Sequence, residues 1–126
     1  MPESLPYDGG LTCALDVKNL DAAVRWYQDI LEFKLVYRVD PMGWCEMSSP
    51  VARVNVGLGQ TENPEITGGA VLVFGVSDIE GACRTLLARG VQFDGPIRTL
   101  EGMVRLVNFS DPDGNRLMLY QDIQQK

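Results

Sequence analysis

The chemistry open to this chain is limited first by a missing residue type, because none of its 126 residues is histidine. Without histidine, a serine or cysteine nucleophile would need Lys, Asp or Glu as its base, and the sequence has no GxSxG motif, no SxxK motif and no phosphate-cradling glycine loop. Glu46, Asp16 and Tyr120 are candidates for acid–base work without a metal, but no spacing singles them out. The sequence therefore leaves any catalytic residue unknown.

The cysteines and the charge balance exclude several further classes. Cys13, Cys45 and Cys83 are odd in number and form no CxxC pair, so we expect reduced thiols rather than a disulfide framework or a thiolate metal cluster. A formal charge of −6 without a basic run argues against a nucleic-acid partner and weakly favours a cationic ligand over an anionic one.

The length and composition are those of one globular domain covering residues 1–126, with 45% hydrophobic and 22% charged residues. No apolar stretch is long enough to span a bilayer, and the start, MPESLPYDGG, does not resemble a signal peptide. We therefore expect a cytoplasmic protein without a membrane partner.

The first part of the chain predicts a βαβββ module over about residues 11–59. A strand, LTCALDV, precedes Asn19, which is a suitable N-cap for an amphipathic helix over about residues 20–31. Three β-rich segments follow, namely FKLVYRV, WCEMSS and ARVNVGL. Residues 60–69 have the polar, proline- and glycine-containing composition of a linker.

The same order of elements recurs over about residues 70–122. The segment AVLVFGV is followed by a second amphipathic helix, with Ser77 and Glu80 at capping-box spacing at its start and Gly90 at its end. After the helix come the segments VQF and MVRLVNF, a DPDGN turn and the strand RLMLYQ. A constant shift of 59 residues superposes the two apolar patterns, for example Leu20 on Ile79. We therefore predict an α+β fold of two βαβββ modules that form a concave sheet around a cleft suited to a small molecule.

The helix LDAAVRWYQDILEF and the segment FSDPDGNRLMLYQ make the chain resemble the vicinal oxygen chelate superfamily over nearly its whole length. This superfamily includes glyoxalase I, extradiol dioxygenases, fosfomycin-modifying enzymes and the antibiotic-binding proteins of bleomycin resistance. Its enzymes typically hold a divalent metal with His, Glu or Gln from four strands that face one cavity.

The resemblance places those four metal-ligand positions on Thr12, Val71, Met118 and, by a looser alignment, Asn55, with Arg53 as an alternative. A hydrocarbon and a thioether do not suit a hard divalent ion, so we expect no family-type metal centre and no cofactor. The four side chains then border a metal-free pocket or simply close a packed core between the modules.

Three further residues are pocket candidates. Trp44 and Glu46 alternate on one face of a predicted strand and together could hold a planar cation; alternatively, the indole anchors an edge and the carboxylate is solvated. Arg105 lies six residues before Asp111 of the DPDGN turn, and we favour a structural role in that turn over a role in the cavity.

The leading functional hypothesis is metal-free binding of a small, aromatic or cationic molecule in the cleft, of the antibiotic-resistance or sequestration type. A divergent lyase, isomerase or oxygenase acting on a small metabolite is one alternative, and a non-catalytic interaction module is another. We also expect a homodimer. The sequence leaves open whether the modules pair within one chain or between two.

Overall fold

The computed structural model describes residues 6, 10–62, 64 and 70–123, and the chain divides into two compact units, Met1–Pro64 and Glu65–Lys126. The division falls within the predicted linker 60–69, of which residues 63 and 65–69 lie outside the described part of the chain. Each unit has its own four-stranded sheet and its own helix.

The first unit has the predicted order βαβββ. Its elements are β1 (Leu11–Val17), α1 (Leu20–Asp29), β2 (Lys34–Val39), a 3₁₀ turn (Asp40–Met42), β3 (Trp44–Ser48) and β4 (Val54–Gln60). The strands lie in the order β1-β4-β3-β2, with β1 parallel to β4 and the remaining pairs antiparallel. The helix thus forms part of the crossover between parallel strands, as such pairs require.

The second unit repeats this architecture. Its elements are β5 (Leu72–Gly75), α2 (Ile79–Ala88), β6 (Arg98–Leu100), β7 (Val104–Ser110) and β8 (Arg116–Asp122). The strands lie in the order β5-β8-β7-β6, and β5 is parallel to β8. The prediction of an α+β fold with two βαβββ modules is confirmed.

One face of the first sheet packs against α1, because apolar side chains alternate along its strands and recur on one side of the helix. The ring of Tyr27, which has no exposed surface, lies 5.3 Å from that of Phe33, centroid to centroid. The buried apolar side chains of this unit are Val17, Leu20, Ala23, Val24, Tyr27, Phe33, Cys45, Met47, Val56 and Leu58. The core of the unit therefore lies between the helix and one face of its sheet.

The two helix N-termini confirm one predicted cap and correct the other. The side chain of Asn19 accepts a hydrogen bond from the Ala22 amide, as predicted. In α2 the cap is Asp78 rather than Ser77, because Asp78 is the residue with extended backbone immediately before the first helical residue and its carboxylate accepts from the Gly81 amide. The predicted Ser77–Glu80 capping box is therefore wrong.

A glutamine from the last strand of each unit completes these helix starts. Gln60 Oε1 accepts from the Leu20 amide at 2.7 Å, and Gln121 Oε1 accepts from the Ile79 amide at 2.8 Å. Each bond satisfies a first-turn N–H group that has no partner within its helix. The two glutamines are 61 residues apart, so they fix which residues of β4 and β8 are equivalent.

At the end of α2, Gly90 adopts a left-handed conformation with φ 92°, as its predicted capping role requires. Its amide donates to the Leu87 carbonyl and the Val91 amide donates to the Leu86 carbonyl, which is the Schellman pattern. By contrast, the predicted strand VQF contributes only a single bridge, between Phe93 and Phe109. The second strand of this unit is instead Arg98–Leu100, whose three residues are all exposed.

The DPDGN turn precedes β8 as predicted. The buried Asp111 side chain accepts from the amides of Asp113 and Asn115, and Gly114 has a φ of 90°. None of the described helices is long and apolar enough to cross a membrane.

Candidate functional site

The candidate site lies on the face of the first sheet that points away from α1. Along β3, buried Cys45 and Met47 alternate with half-buried Trp44, Glu46 and Ser48, so the second set points to the other side of the sheet. We call this surface the Trp44 face. By register it consists of Thr12, Ala14, Asp16, Lys34, Tyr37, Val39, Trp44, Glu46, Ser48, Asn55, Gly57 and Gly59.

The indole of Trp44 lies over two glycines of the neighbouring strand β4. A Cβ atom built on Gly57 would lie 2.1 Å from Trp44 Cη2 and 2.5 Å from Cζ2, so the ring occupies the space that a side chain there would need. At Gly59 the nearest ring atom, Cε3, would lie at an ordinary 3.7 Å. On the opposite side, Trp44 Nε1 donates a hydrogen bond of 3.2 Å to Tyr37 Oη in β2.

A carboxylate and an amide lie next to this ring. Asn55 Nδ2 donates to Glu46 Oε2 at 2.9 Å, between adjacent strands β4 and β3. Thr12 of β1 is the register partner of Asn55, so its side chain lies on the same face. The structure therefore brings four of the predicted site residues, Thr12, Trp44, Glu46 and Asn55, to one surface of one unit.

The remaining three predicted residues belong to the second unit. Val71 is half-buried and immediately precedes β5, whereas Met118 lies in β8 between its register partners Val73 and Asn108. Arg105 does not have the predicted role. Its guanidinium contacts Glu80 of α2 at 3.0 Å, because its position in β7 places it on the side of the sheet that carries the helix.

The internal spacing of the units changes the expected position of the fourth metal ligand. Because Gln60 and Gln121 perform the same task 61 residues apart, the residue of β4 that corresponds to Met118 is Gly57 rather than Asn55. Gly57 has no side chain, and the volume above it is filled by the indole of Trp44.

The residues at these positions do not fit a family-type metal ion. They offer the Thr12 hydroxyl, the hydrocarbon of Val71, the thioether of Met118 and, at the fourth position, either no side chain (Gly57) or an amide (Asn55). Hard and borderline metal ions prefer carboxylate and imidazole ligands, and none of these side chains provides one. Within the described ranges, no three His, Cys, Asp or Glu side chains come together. No step of chemistry through a metal can be built from these side chains.

The cysteines provide no alternative nucleophile on this face. Cys45 is fully buried on the α1 side of the sheet, and Cys83 is buried in α2. Burial raises the pKa of both thiols and so disfavours the reactive thiolate.

Sequence reasoning missed the two residues that hold the indole of Trp44, Tyr37 and Gly57. The segment VNVGLGQ does contain a signal for Gly57, because glycines at every other position of a strand leave one face of its backbone uncovered. No comparable pattern marks Tyr37, whose role depends on its pairing across the bulged β2–β3 register.

The fold is that of two βαβββ units, and the side chains at the expected metal-ligand positions do not suit a metal ion. The family model of the glyoxalase/bleomycin resistance protein/dioxygenase superfamily matches residues 11–119. The chain therefore belongs to this superfamily. No curated protein matches the chain at a significant level.

Solved structures of the same fold cover almost the whole chain. A superfamily member from Sphaerobacter thermophilus DSM 20745 is 26% identical with a TM-score of 0.77, covering 94% of this chain and 98% of its own. An antibiotic-binding protein from Streptomyces sp. CB03234 is 24% identical with a TM-score of 0.76, covering 94% and 99%. A genomically encoded fosfomycin resistance protein from Listeria monocytogenes is 19% identical with a TM-score of 0.71, covering 96% and 94%.

Proposed function

We propose that this chain binds a small aromatic or cationic molecule on its Trp44 face without a metal ion, as a sequestration or resistance protein does. The observation that carries the proposal is the placement of Trp44. Its ring lies over Gly57 and is hydrogen-bonded to Tyr37, beside the carboxylate of Glu46. An aromatic surface next to a carboxylate is suited to cation–π and charge contacts with one ligand.

The polar groups around the ring also favour ligand binding over packing. Glu46 Oε2 accepts a hydrogen bond from Asn55, and among the described residues no group donates to Glu46 Oε1. That oxygen can accept an N–H group from a ligand. Because Asn55 fixes the carboxylate, little side-chain freedom would be lost on binding.

The known proteins of this fold support the same class of function. They include an antibiotic-binding protein and a fosfomycin resistance protein. The net charge of −6 adds a general preference for cations, which strengthens at low ionic strength.

Thermal unfolding in the presence of a compound panel tests the proposal. The panel contains planar cations such as proflavine, neutral planar compounds such as acridone, and several antibiotics. A ligand at 100 times its Kd stabilises the folded state by about 2.7 kcal/mol, which raises the Tm by several degrees. We expect at least one compound to do so, and to lose this effect with Trp44→Leu.

Two controls make the result specific. Trp26→Phe removes the other tryptophan, which is half-buried on α1, and should leave ligand stabilisation unchanged. Metal content after incubation with nickel, manganese and zinc should stay far below one ion per chain. A panel without any stabilising compound, or a stoichiometric metal ion, would contradict the proposal.

A further inference from the structure

We infer that Gly57 is the positioning residue of this site: it holds the indole of Trp44 in the one orientation that lets a planar organic cation stack on the ring and reach Glu46. The inference rests on the proposed function and adds to it a specificity-determining residue and a ligand shape. Gly57 acts through Trp44 and does not itself touch the ligand.

The first support is the difference between two glycines of β4. At Gly57, three ring atoms of Trp44 lie within 3.0 Å of where a Cβ would be, whereas at Gly59 the nearest ring atom would be 3.7 Å away. Neither residue has a positive φ, so backbone strain does not explain their presence. Of these two glycines, only Gly57 therefore limits where the indole can lie.

The second support is the restraint on the other side of the ring. Tyr37 Oη accepts from Trp44 Nε1, so the ring is held between β2 on one side and the backbone of β4 on the other. A bulge in the β2–β3 register between Leu35 and Tyr37 accompanies this placement. A ring fixed in this way is preorganised, which lowers the entropy cost of stacking a ligand on it.

The ligand shape follows from the distance between the ring and the acid. Trp44 and Glu46 are two residues apart on the same face of β3, a separation of about 7 Å along the strand. A planar molecule of two or three fused rings stacked on the indole spans this distance and can present an N–H⁺ group at its edge to Glu46. Asp16 lies in the same cross-strand row as Trp44, with Gly59 between them, and adds negative charge to the face.

The test compares Gly57→Ala with its matched control Gly59→Ala, both in a Trp26→Phe background so that Trp44 is the only tryptophan. Proflavine is the cationic probe and acridone the neutral planar one. Indole emission of the free protein reports the position of Trp44, circular dichroism reports folding, and titration gives the Kd.

We expect Gly57→Ala to shift the emission of Trp44 and to weaken proflavine binding by about tenfold, which lies within the range of one cation–π contact. Gly59→Ala should change the Kd by less than about twofold, since its new methyl group meets the ring at ordinary contact distance. Acridone should bind the parent protein about tenfold more weakly than proflavine, because it has no charge to offer Glu46.

A double-mutant cycle separates positioning from a general effect on the fold. In a Trp44→Leu background, Gly57→Ala should cause no further loss of proflavine affinity, because the side chain through which Gly57 acts is gone. If Gly57→Ala fails to fold, Tyr37→Phe provides the same test from the other side of the ring, with a shifted emission and weaker binding expected.

Three results would overturn the inference. These are a shifted emission without loss of affinity, equal losses for Gly57→Ala and Gly59→Ala, and acridone binding as tightly as proflavine. Each of these leaves the proposed function standing, because ligand binding itself is still observed. Failure of the whole panel to stabilise the protein would instead refute the proposed function.

Discussion

Removal of the Asp111 carboxylate should destabilise the second unit more than any surface substitution, because this side chain organises the DPDGN turn from a buried position. Asp111 is 5% exposed, and Oδ1 accepts from the amides of Asp113 at 2.9 Å and Asn115 at 2.8 Å. Oδ2 accepts from Asn115 Nδ2 at 2.8 Å, and Asn115 is itself 6% exposed. One carboxylate thus satisfies three donors, of which two belong to a buried residue.

The expected cost of Asp111→Ala follows from those bonds. A hydrogen bond to a charged group contributes about 1.5–3 kcal/mol, and a buried donor left without a partner costs about 1–3 kcal/mol. Water can replace the bond to the half-buried Asp113, and removal of a buried charge recovers some desolvation energy. We therefore expect a loss of about 3–4 kcal/mol in the free energy of unfolding, or about 10–15 °C in Tm for a chain of this size.

Urea denaturation followed by circular dichroism measures this change, with Asp94→Ala as a control that removes the same charge from an exposed position. The control should stay within about 0.5 kcal/mol of the parent protein. Asp111→Asn retains one oxygen for the two amides but places an amide group opposite Asn115 Nδ2, so an intermediate loss of about 1–2 kcal/mol is expected. A loss below about 1 kcal/mol for Asp111→Ala would refute this account of the turn.

Two further predictions concern the backbone and the thiols. Arg53→Gly should stabilise the protein by about 0.5–1 kcal/mol in urea denaturation, because Arg53 has a left-handed φ of 59° in the turn before β4. The corresponding turn of the second unit has Gly114 at this position. A loss of stability would mean that the contacts of the arginine side chain dominate. Burial raises the pKa of Cys45 and Cys83, so an aromatic disulfide reagent at pH 8 should modify half-buried Cys13 first. Because the two buried thiols keep their protons to a higher pH in the folded state than in the unfolded state, the free energy of unfolding should fall as the pH rises above the ordinary thiol pKa. Equal reaction rates for the three thiols would contradict the assigned burial.

The elements that the sequence predicted well are those whose physical cause is local. The apolar face of α1, the Asn19 cap and the DPDGN turn each depend on residues within a few positions of one another, so their spacing alone indicates them. The repeat of this local pattern 59 residues later was sufficient to predict two units of the same fold.

The elements that the sequence missed depend on contacts between distant segments. Strand β6 is an exposed edge strand whose three residues have no apolar pattern, so it forms only because β7 offers it a partner. Arg105 was assigned to the turn because of its distance along the chain, but its alternation in β7 directs it to α2 and Glu80. The support of Trp44 by Gly57 and Tyr37 combines three strands, and no single segment contains it.

A comparison of the two units with each other shows which features of the fold they share and which they do not. The devices that attach each helix to its sheet are chemically alike in both units: an Asn or Asp caps the helix, and Gln60 or Gln121 accepts from its first amide. On the faces away from the helices the equivalent positions differ, with Gly57 in one unit and Met118 in the other. The same fold is therefore maintained twice while these faces carry different side chains, and the glycine that admits Trp44 occurs in the first unit alone. A ligand that depends on this indole should consequently contact the first unit, and substitutions at Met118 should affect its affinity less than substitutions at Gly57.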